Sequence, residues 1–76
     1  MARGSYTQAE AAFRRAASLD PGWAYPLIRL GELYLRLDNP AAAAPVLQQA
    51  LEIEPDNEEA RRLLAQATPR RPIWQS

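Results

Sequence analysis

The sequence predicts an all-α fold in which four antiparallel helices stack as a short repeat array. Apolar residues recur at helical spacing, and no stretch shows the alternation typical of a half-buried strand. Clusters of Pro, Gly, Asp and Asn divide the chain at three places and leave connections short enough for antiparallel neighbours. Two stretches that begin 34 residues apart share one order of small and large side chains, and a period of this length is typical of stacked helical repeats.

Composition limits both the size of the core and the chemistry. The chain has 76 residues, 47% of them hydrophobic, so it forms at most one domain with a modest core. Cys and His are absent, which removes disulfides, the usual zinc sites and the commonest general base. We therefore expect no enzyme activity and no cofactor or metal. The formal net charge is zero, so membranes and nucleic acids are not expected as partners.

The N-terminal residues and the hydropathy of the chain bear on its location. No apolar run approaches the roughly 18 residues that a membrane span needs. The first residues are polar and lack the apolar segment of a secretory signal. We therefore expect a cytoplasmic protein.

The first two helices follow from their apolar spacing and their breakers. A four-residue lead, 1–4, precedes an alanine-rich helix predicted at 5–19, which Asp-Pro-Gly at 20–22 ends. The second helix is predicted at 24–37. Pro26 falls in its first turn, where it removes an N–H that has no intrahelical partner.

The third and fourth helices complete the predicted domain at 5–68. Asp-Asn-Pro breaks the second helix and caps the third, predicted at 40–53. Pro45 lies inside that helix, where proline costs about 3 kcal/mol, so we expect a bend or a late start. Asp56 or Asn57 caps a fourth helix predicted at 57–67. The last segment, 69–76, is rich in proline and includes Trp74, and we expect it to be a flexible tail.

The internal repeat relates the first helix to the third. The stretch AEAAFRRAASLDP at 9–21 aligns with AAPVLQQALEIEP at 43–55, with the same sequence of small, large and proline positions. The matched pairs are Ala9 and Ala43, Phe13 and Leu47, Ala16 and Ala50, Leu19 and Ile53, and Pro21 and Pro55. One offset therefore relates five positions, which predicts two copies of the same helix in successive repeats.

These positions resemble the tetratricopeptide repeat family. Its pattern is a large residue, Leu-Gly, Tyr, Ala, a large residue and Pro, and the matching residues here are Leu27, Leu30, Gly31, Tyr34, Ala43, Leu47 and Pro55. Leu27 stands where the family often has tryptophan, and Leu47 where it often has an aromatic residue. The resemblance covers one full repeat, 24–57, with a half repeat on each side, and it implies a right-handed α-solenoid.

Gly31 interrupts the helical stretch LIRLGELYLRL, where glycine costs about 1 kcal/mol relative to alanine. A glycine has no Cβ, so the second and third helices can approach closely there. We expect Ala43 to be the opposing surface.

The resemblance implies a protein–protein interaction module that binds a peptide or a partner helix on its concave face. Carried over position by position, the partner-binding residues are Tyr25, Ile28, Arg29, Glu32, Leu35, Arg36, Glu59, Arg62, Leu63 and Gln66. The spacing of Arg29, Glu32 and Arg36 also fits a plain ion-pair network on a helix surface. Ile28 and Glu32 stand where the chaperone-tail clamp of some members needs basic and amide groups, so we expect no binding of that type.

The first helix lacks the helix that should precede it in its repeat. Its apolar stripe, Tyr6, Ala9 and Phe13, would have packed on that helix. Either the chain is the end of a longer array, or the stripe drives self-association, for example as a homodimer. An alternative function is RNA binding, supported by the arginine pairs at 14–15, 61–62 and 70–71, but zero net charge disfavours it.

Overall fold

The structure, a computed structural model, describes residues 2–68, with side chains from residue 5 onwards. Its elements are α1 (Ala2–Leu19), α2 (Tyr25–Arg36), α3 (Pro40–Ile53) and α4 (Glu58–Ala67). All regular elements in the described part of the chain are helices, which confirms the all-α prediction. Helix α1 begins at Ala2, so residues 2–4 belong to it and not to a separate lead. The predicted tail with Trp74 lies outside the described residues.

The helices pack in the order expected of stacked repeats. Consecutive helices contact one another, and α2 also contacts α4. Helix α1 touches only α2 among the described helices, whereas α2 has three helical neighbours. Helix α2 is therefore the centre of the domain, and its surroundings decide which side chains remain available to a partner.

The core consists of a few large side chains between many alanines. The predicted stripe of α2 is buried, with 7% of Leu27, 1% of Leu30 and 5% of Tyr34 exposed. The alanines of the core are fully buried or nearly so, namely Ala24, Ala43, Ala50, Ala60 and Ala67. The repeat in the sequence predicted two of these small positions, Ala43 and Ala50, where the absence of a large side chain leaves room for a neighbouring helix.

Gly31 leaves a notch in the surface of α2, and the side chain of Leu47 from α3 fills this notch. A Cβ atom at Gly31 would lie 2.4 Å from Cγ and Cδ2 of Leu47 and 2.9 Å from its Cδ1. The expectation that Ala43 stands opposite was wrong in this respect, although Ala43 is fully buried in the same core. A helical side chain covers the turn that precedes its own Cα, so Leu47 extends over the turn of Ala43 and reaches the glycine first.

Asparagine residues cap the N-terminal ends of α3 and α4. The side chain of Asn39 accepts a hydrogen bond from the Ala42 N–H at 3.3 Å, and that of Asn57 accepts one from the Ala60 N–H at 2.9 Å. Of the two residues predicted to cap α4, the structure selects Asn57. Each cap satisfies a backbone donor that has no partner within the helix.

Helix α3 runs from Pro40 to Ile53 and passes through Pro45, so the expected late start does not occur. Proline at 45 leaves the carbonyl of Ala41 without its intrahelical donor. Ala41 and Pro45 are both exposed, so water can bind that carbonyl. The position on the outer face explains how α3 accommodates the proline.

Helix α2 ends in a Schellman motif built on a non-glycine residue. The Asn39 N–H donates to the Tyr34 carbonyl at 2.8 Å, and the Asp38 N–H donates to the Leu35 carbonyl at 3.0 Å. Asp38 has a φ of 57°, in the left-handed region that favours glycine. The turn therefore contains a local strain that one substitution can remove.

We expect Asp38→Gly to raise the free energy of unfolding by about 0.5–1 kcal/mol. Glycine removes the steric cost of the left-handed conformation, which exceeds the extra backbone entropy that glycine loses on folding. Urea denaturation followed by circular dichroism measures the change. The matched control is Asp56→Gly, because Asp56 lies in an exposed turn without a positive φ. A control that gains as much stability as Asp38→Gly would contradict the explanation.

Candidate binding surface

An ion-pair network joins α2 and α4 at the surface predicted to bind a partner. The Arg29 guanidinium donates from Nη1 to Oε1 of Glu32 at 2.7 Å and from Nη2 to a carboxylate oxygen of Glu59. Oε2 of Glu32 lies 3.6 Å from Nη2 of Arg36. The network thus includes Arg29, Glu32 and Arg36, whose spacing predicted ion pairs within α2. It also reaches α4 through Glu59.

Burial and charge act in opposite directions on Arg29. Its partial burial by itself lowers the pKa of the guanidinium, but the hydrogen bond to Glu59 and the charges of Glu32 and Glu59 raise that pKa on balance. Arg29 therefore stays charged and holds the two carboxylates near each other. Its Nε is buried and has no hydrogen-bond partner in the part of the chain that the structure describes.

Two aromatic rings extend this surface beyond the charged network. The Arg29 guanidinium carbon lies 5.4 Å from the centre of the Tyr25 ring, a cation–π arrangement. The Trp23 ring stacks on the Tyr25 ring, with centroids 5.6 Å apart and planes inclined by 22°. The side chains are exposed to 50% for Tyr25 and 48% for Trp23. Trp23 was not among the predicted binding residues, and helical spacing gave no signal for it because it precedes α2.

The remaining predicted residues divide by burial. Arg36, Arg62 and Gln66 are exposed, whereas Glu59 is half-buried. Leu35 and Leu63 are half-buried against the core. Ile28 is 4% exposed and belongs to the core, so its assignment to the partner-binding face is corrected. Because α2 has neighbours on three sides, only a narrow strip of its circumference reaches the surface.

A groove with a volume of about 280 Å³ lies between α1 and α2. The α1 wall carries Tyr6, Ala9 and Phe13, the stripe for which the sequence offered self-association as one explanation. All three are half-buried. The α2 wall combines Arg29, Glu32 and Arg36 with Leu33. Leu33, which is 6% exposed, was missed; its position four residues after Arg29 could have indicated the same face.

A second polar cluster ties α1 to α2. The Tyr34 hydroxyl accepts a hydrogen bond from Nη2 of Arg14 at 2.5 Å and donates one to Oε2 of Glu10 at 2.5 Å. Nε of Arg14 also donates to this oxygen of Glu10, at 3.1 Å. The bond from Tyr34, and then that from Arg14, lowers the pKa of Glu10, whereas burial is the main cause that raises the pKa of Tyr34.

We expect this tie to weaken in acid. Because the pKa of Glu10 is lowered in the folded state, its stabilising effect is complete above the pKa of an unfolded glutamate, about 4.3. It is lost as the pH falls through the lowered folded-state value. Denaturation curves recorded at about pH 6 and about pH 3 should differ less for Glu10→Gln than for the unmodified chain.

The control for this acid sensitivity is Glu52→Gln, which changes an exposed carboxylate on α3. It should retain the full pH dependence. An equal reduction in both variants would assign the acid sensitivity to general charge effects instead of the contact with Tyr34.

Residues 2–68 contain no group of three or more acidic, His or Cys side chains placed to hold a metal ion. None of the described helices is both long and apolar enough to cross a membrane.

Comparison with known proteins places this arrangement in one family. A family model described as tetratricopeptide repeat matches residues 1–67. No curated protein and no solved structure matches the chain. The family match covers all four helices and includes the glycine notch between α2 and α3.

Proposed function

The chain belongs to the tetratricopeptide repeat family, and from this premise we propose that it binds a peptide or a partner helix on the face shared by α2 and α4. Repeats of this family generally mediate protein–protein interaction and form non-enzymatic modules. The observation that carries the proposal is a cluster in which the exposed rings of Trp23 and Tyr25 stack on each other and the half-buried Arg29 lies over Tyr25, beside its ion pairs to Glu32 and Glu59.

The chemistry of this face suits recognition of a peptide with both apolar and acidic residues. Tyrosine, tryptophan and arginine are enriched among residues that dominate binding energy at interfaces. Arg36 is 65% exposed and its only described ion pair, with Glu32, is long at 3.6 Å. A ligand carboxylate can therefore engage Arg36 without dismantling the tighter bonds of Arg29, while an apolar ligand side chain covers Tyr25.

The experiment selects peptides from a random library on the purified chain and measures their affinity by fluorescence anisotropy. We expect Tyr25→Ala and Arg36→Ala each to weaken binding by about tenfold or more, the effect of losing an interface hot spot. Both side chains are well exposed, so the fold should survive, and circular dichroism checks this. The matched control is Gln48→Ala, an exposed change on α3. Peptides that bind both variants as tightly as the unmodified chain would contradict the proposed face.

We do not propose the RNA-binding alternative, because the described residues offer no support for it, and the arginine pair at 70–71 lies outside them. Arg14, Arg29 and Arg36 form ion pairs with carboxylates, and the chain is neutral overall. Nucleic-acid binding rests on free positive charge that neutralises phosphates.

A further inference from the structure

Two turns at one end of the domain carry carboxylates and no cationic side chain. The ion pair of Arg29 with Glu59 places the start of α2 beside the start of α4, so the turns before these two helices lie at the same end. The residues of these turns and of the helix ends beside them, 19–25 and 51–60, include no arginine or lysine. They include six acidic residues, namely Asp20, Glu52, Glu54, Asp56, Glu58 and Glu59. This acidic end attracts positively charged groups of a partner.

Most of these carboxylates are available to such a group. Glu59 is half-buried and pairs with Arg29, whereas the other five acidic residues are exposed. Within residues 5–68, none of these five forms an ion pair. Glu54 accepts a hydrogen bond from the Asn57 side chain at 2.9 Å, which leaves its charge uncompensated. The described part of the domain therefore does not neutralise the acidic end.

A pair of aromatic rings stands at the acidic end. Trp23 lies in the turn before α2, and its ring stacks on that of Tyr25 at the first position of the helix. Among the described residues, Tyr25 contacts both the Trp23 ring and the Arg29 guanidinium, whereas Trp23 has no cation over its ring. Trp23 is still 48% exposed. Its indole thus offers a flat surface for one more planar group.

The chemistry of that group follows from the neighbouring contact of Arg29. The Arg29 guanidinium lies over Tyr25, with the carboxylates of Glu32 and Glu59 as its counter-ions. Tryptophan attracts a cation more strongly than tyrosine does, and the acidic end supplies counter-ions for it. A ligand carboxylate would be repelled there, and a neutral side chain would gain from the ring alone. A guanidinium or ammonium group therefore suits both the ring and the charge.

The far end of the same face has the opposite charge. Arg36, at the C-terminal end of α2, is exposed and is the residue that we propose to hold a ligand carboxylate. Arg36 follows Tyr25 by eleven positions. A helix rises about 1.5 Å per residue, so the two positions lie about 16 Å apart along α2. An extended peptide spans this length with about five residues. The face therefore has room for one acidic and one basic residue of the same short peptide.

We propose that the peptide bound on the face shared by α2 and α4 carries both charges: an arginine or lysine stacks on Trp23, and a carboxylate about five residues away pairs with Arg36. This inference rests on the proposed function and adds to it the basic residue, the spacing and the role of Trp23. The two charges fix the register of the peptide along α2.

The probe is a fluorescent library peptide whose binding requires Tyr25 and Arg36. It is compared with the same peptide carrying citrulline in place of its arginine, or glutamine in place of its lysine, because these replacements remove the charge. We expect the unmodified chain to bind the charged peptide about five- to tenfold more tightly than the neutral one. Trp23→Leu should reduce this preference to about twofold or less. Moving the basic residue about three positions towards the carboxylate should weaken binding by a similar factor.

Two further variants separate the ring from general effects on the turn. Trp23→Phe keeps an aromatic face and should retain most of the preference for the charged peptide. Leu19→Ala changes a side chain of the same turn that is 77% exposed, and it should leave the preference unchanged. Circular dichroism checks that each variant is folded. The comparison of the two peptides on the unmodified chain needs no variant, so it decides the charge preference even if Trp23→Leu does not fold.

The outcomes separate this inference from the proposed function. Equal affinity of the unmodified chain for the charged and neutral peptides would overturn it, and so would a preference that Trp23→Leu leaves intact. Peptides that require Tyr25 and Arg36 but contain no basic residue would reject it while the proposed function stands. A dimer that Trp23→Leu converts to monomer in light scattering would also overturn it, because a second copy would then cover the ring. Library peptides that need neither Tyr25 nor Arg36 would reject the proposed function and the inference together.

Discussion

Replacing Leu47 with alanine is expected to lower the free energy of unfolding by about 2–5 kcal/mol. Leu47 is fully buried between α2 and α3 and fills the notch at Gly31, so its truncation leaves a cavity there. A chain of this length has a total stability of about 4–11 kcal/mol, so the variant should be near the limit of folding. Urea denaturation followed by far-ultraviolet circular dichroism measures the loss.

The control for this prediction is Leu51→Ala on the same helix. Leu51 is half-buried, so its truncation removes less buried area and leaves a site that solvent reaches. We expect it to cost less than half as much as Leu47→Ala. Equal losses at the two positions would show that the notch is not the centre of the interface between α2 and α3.

Replacing Gly31 with leucine is expected to destabilise the chain by about 1–3 kcal/mol or more. Leucine favours the helix more than glycine does, by about 1 kcal/mol, so any loss of stability must come from packing. That packing cost arises because the first added atom already lies 2.4 Å from Leu47. Combining Gly31→Leu with Leu47→Ala moves the large side chain from one helix to the other.

The double variant should be more stable than the sum of the two single changes predicts, by about 0.5–3 kcal/mol. Additive losses would contradict a direct contact between the two positions. Gly22→Leu is the matched control, because Gly22 lies in an exposed turn where the nearest atom to an added Cβ is Oδ1 of Asp20 at 4.0 Å. We expect this control to change stability by no more than about 0.5 kcal/mol.

Much of the fold follows from the sequence because one spacing specifies several contacts at once. The 34-residue offset relates Phe13 to Leu47 and Ala9 to Ala43, and the breakers fix α3 at the predicted bounds. The error at the notch has a physical origin. The offset aligns positions along the helices, whereas the atom that enters the notch depends on the direction in which the Leu47 side chain leans.

The binding face was less predictable, because exposure depends on how many helices surround α2. Spacing within one helix was sufficient to predict the pairs of Arg29 with Glu32 and of Glu32 with Arg36. The link to Glu59 depends on where α4 crosses α2, and so does the burial of Ile28. Neither is encoded in the periodicity of a single segment.

Helix α1 is attached along one side only, and this has a consequence for the dynamics of the domain. Among the described helices it contacts α2 alone, through half-buried side chains and the hydrogen bonds of Glu10 and Arg14 to Tyr34. Its amide protons should accordingly exchange with solvent through a partial opening of lower free energy than global unfolding, while those of α2 and α3 exchange only when the whole domain opens. A helix bound along the free side of α1 would suppress that partial opening. The amide protons of α1 would then exchange only through global unfolding, as those of α2 and α3 do.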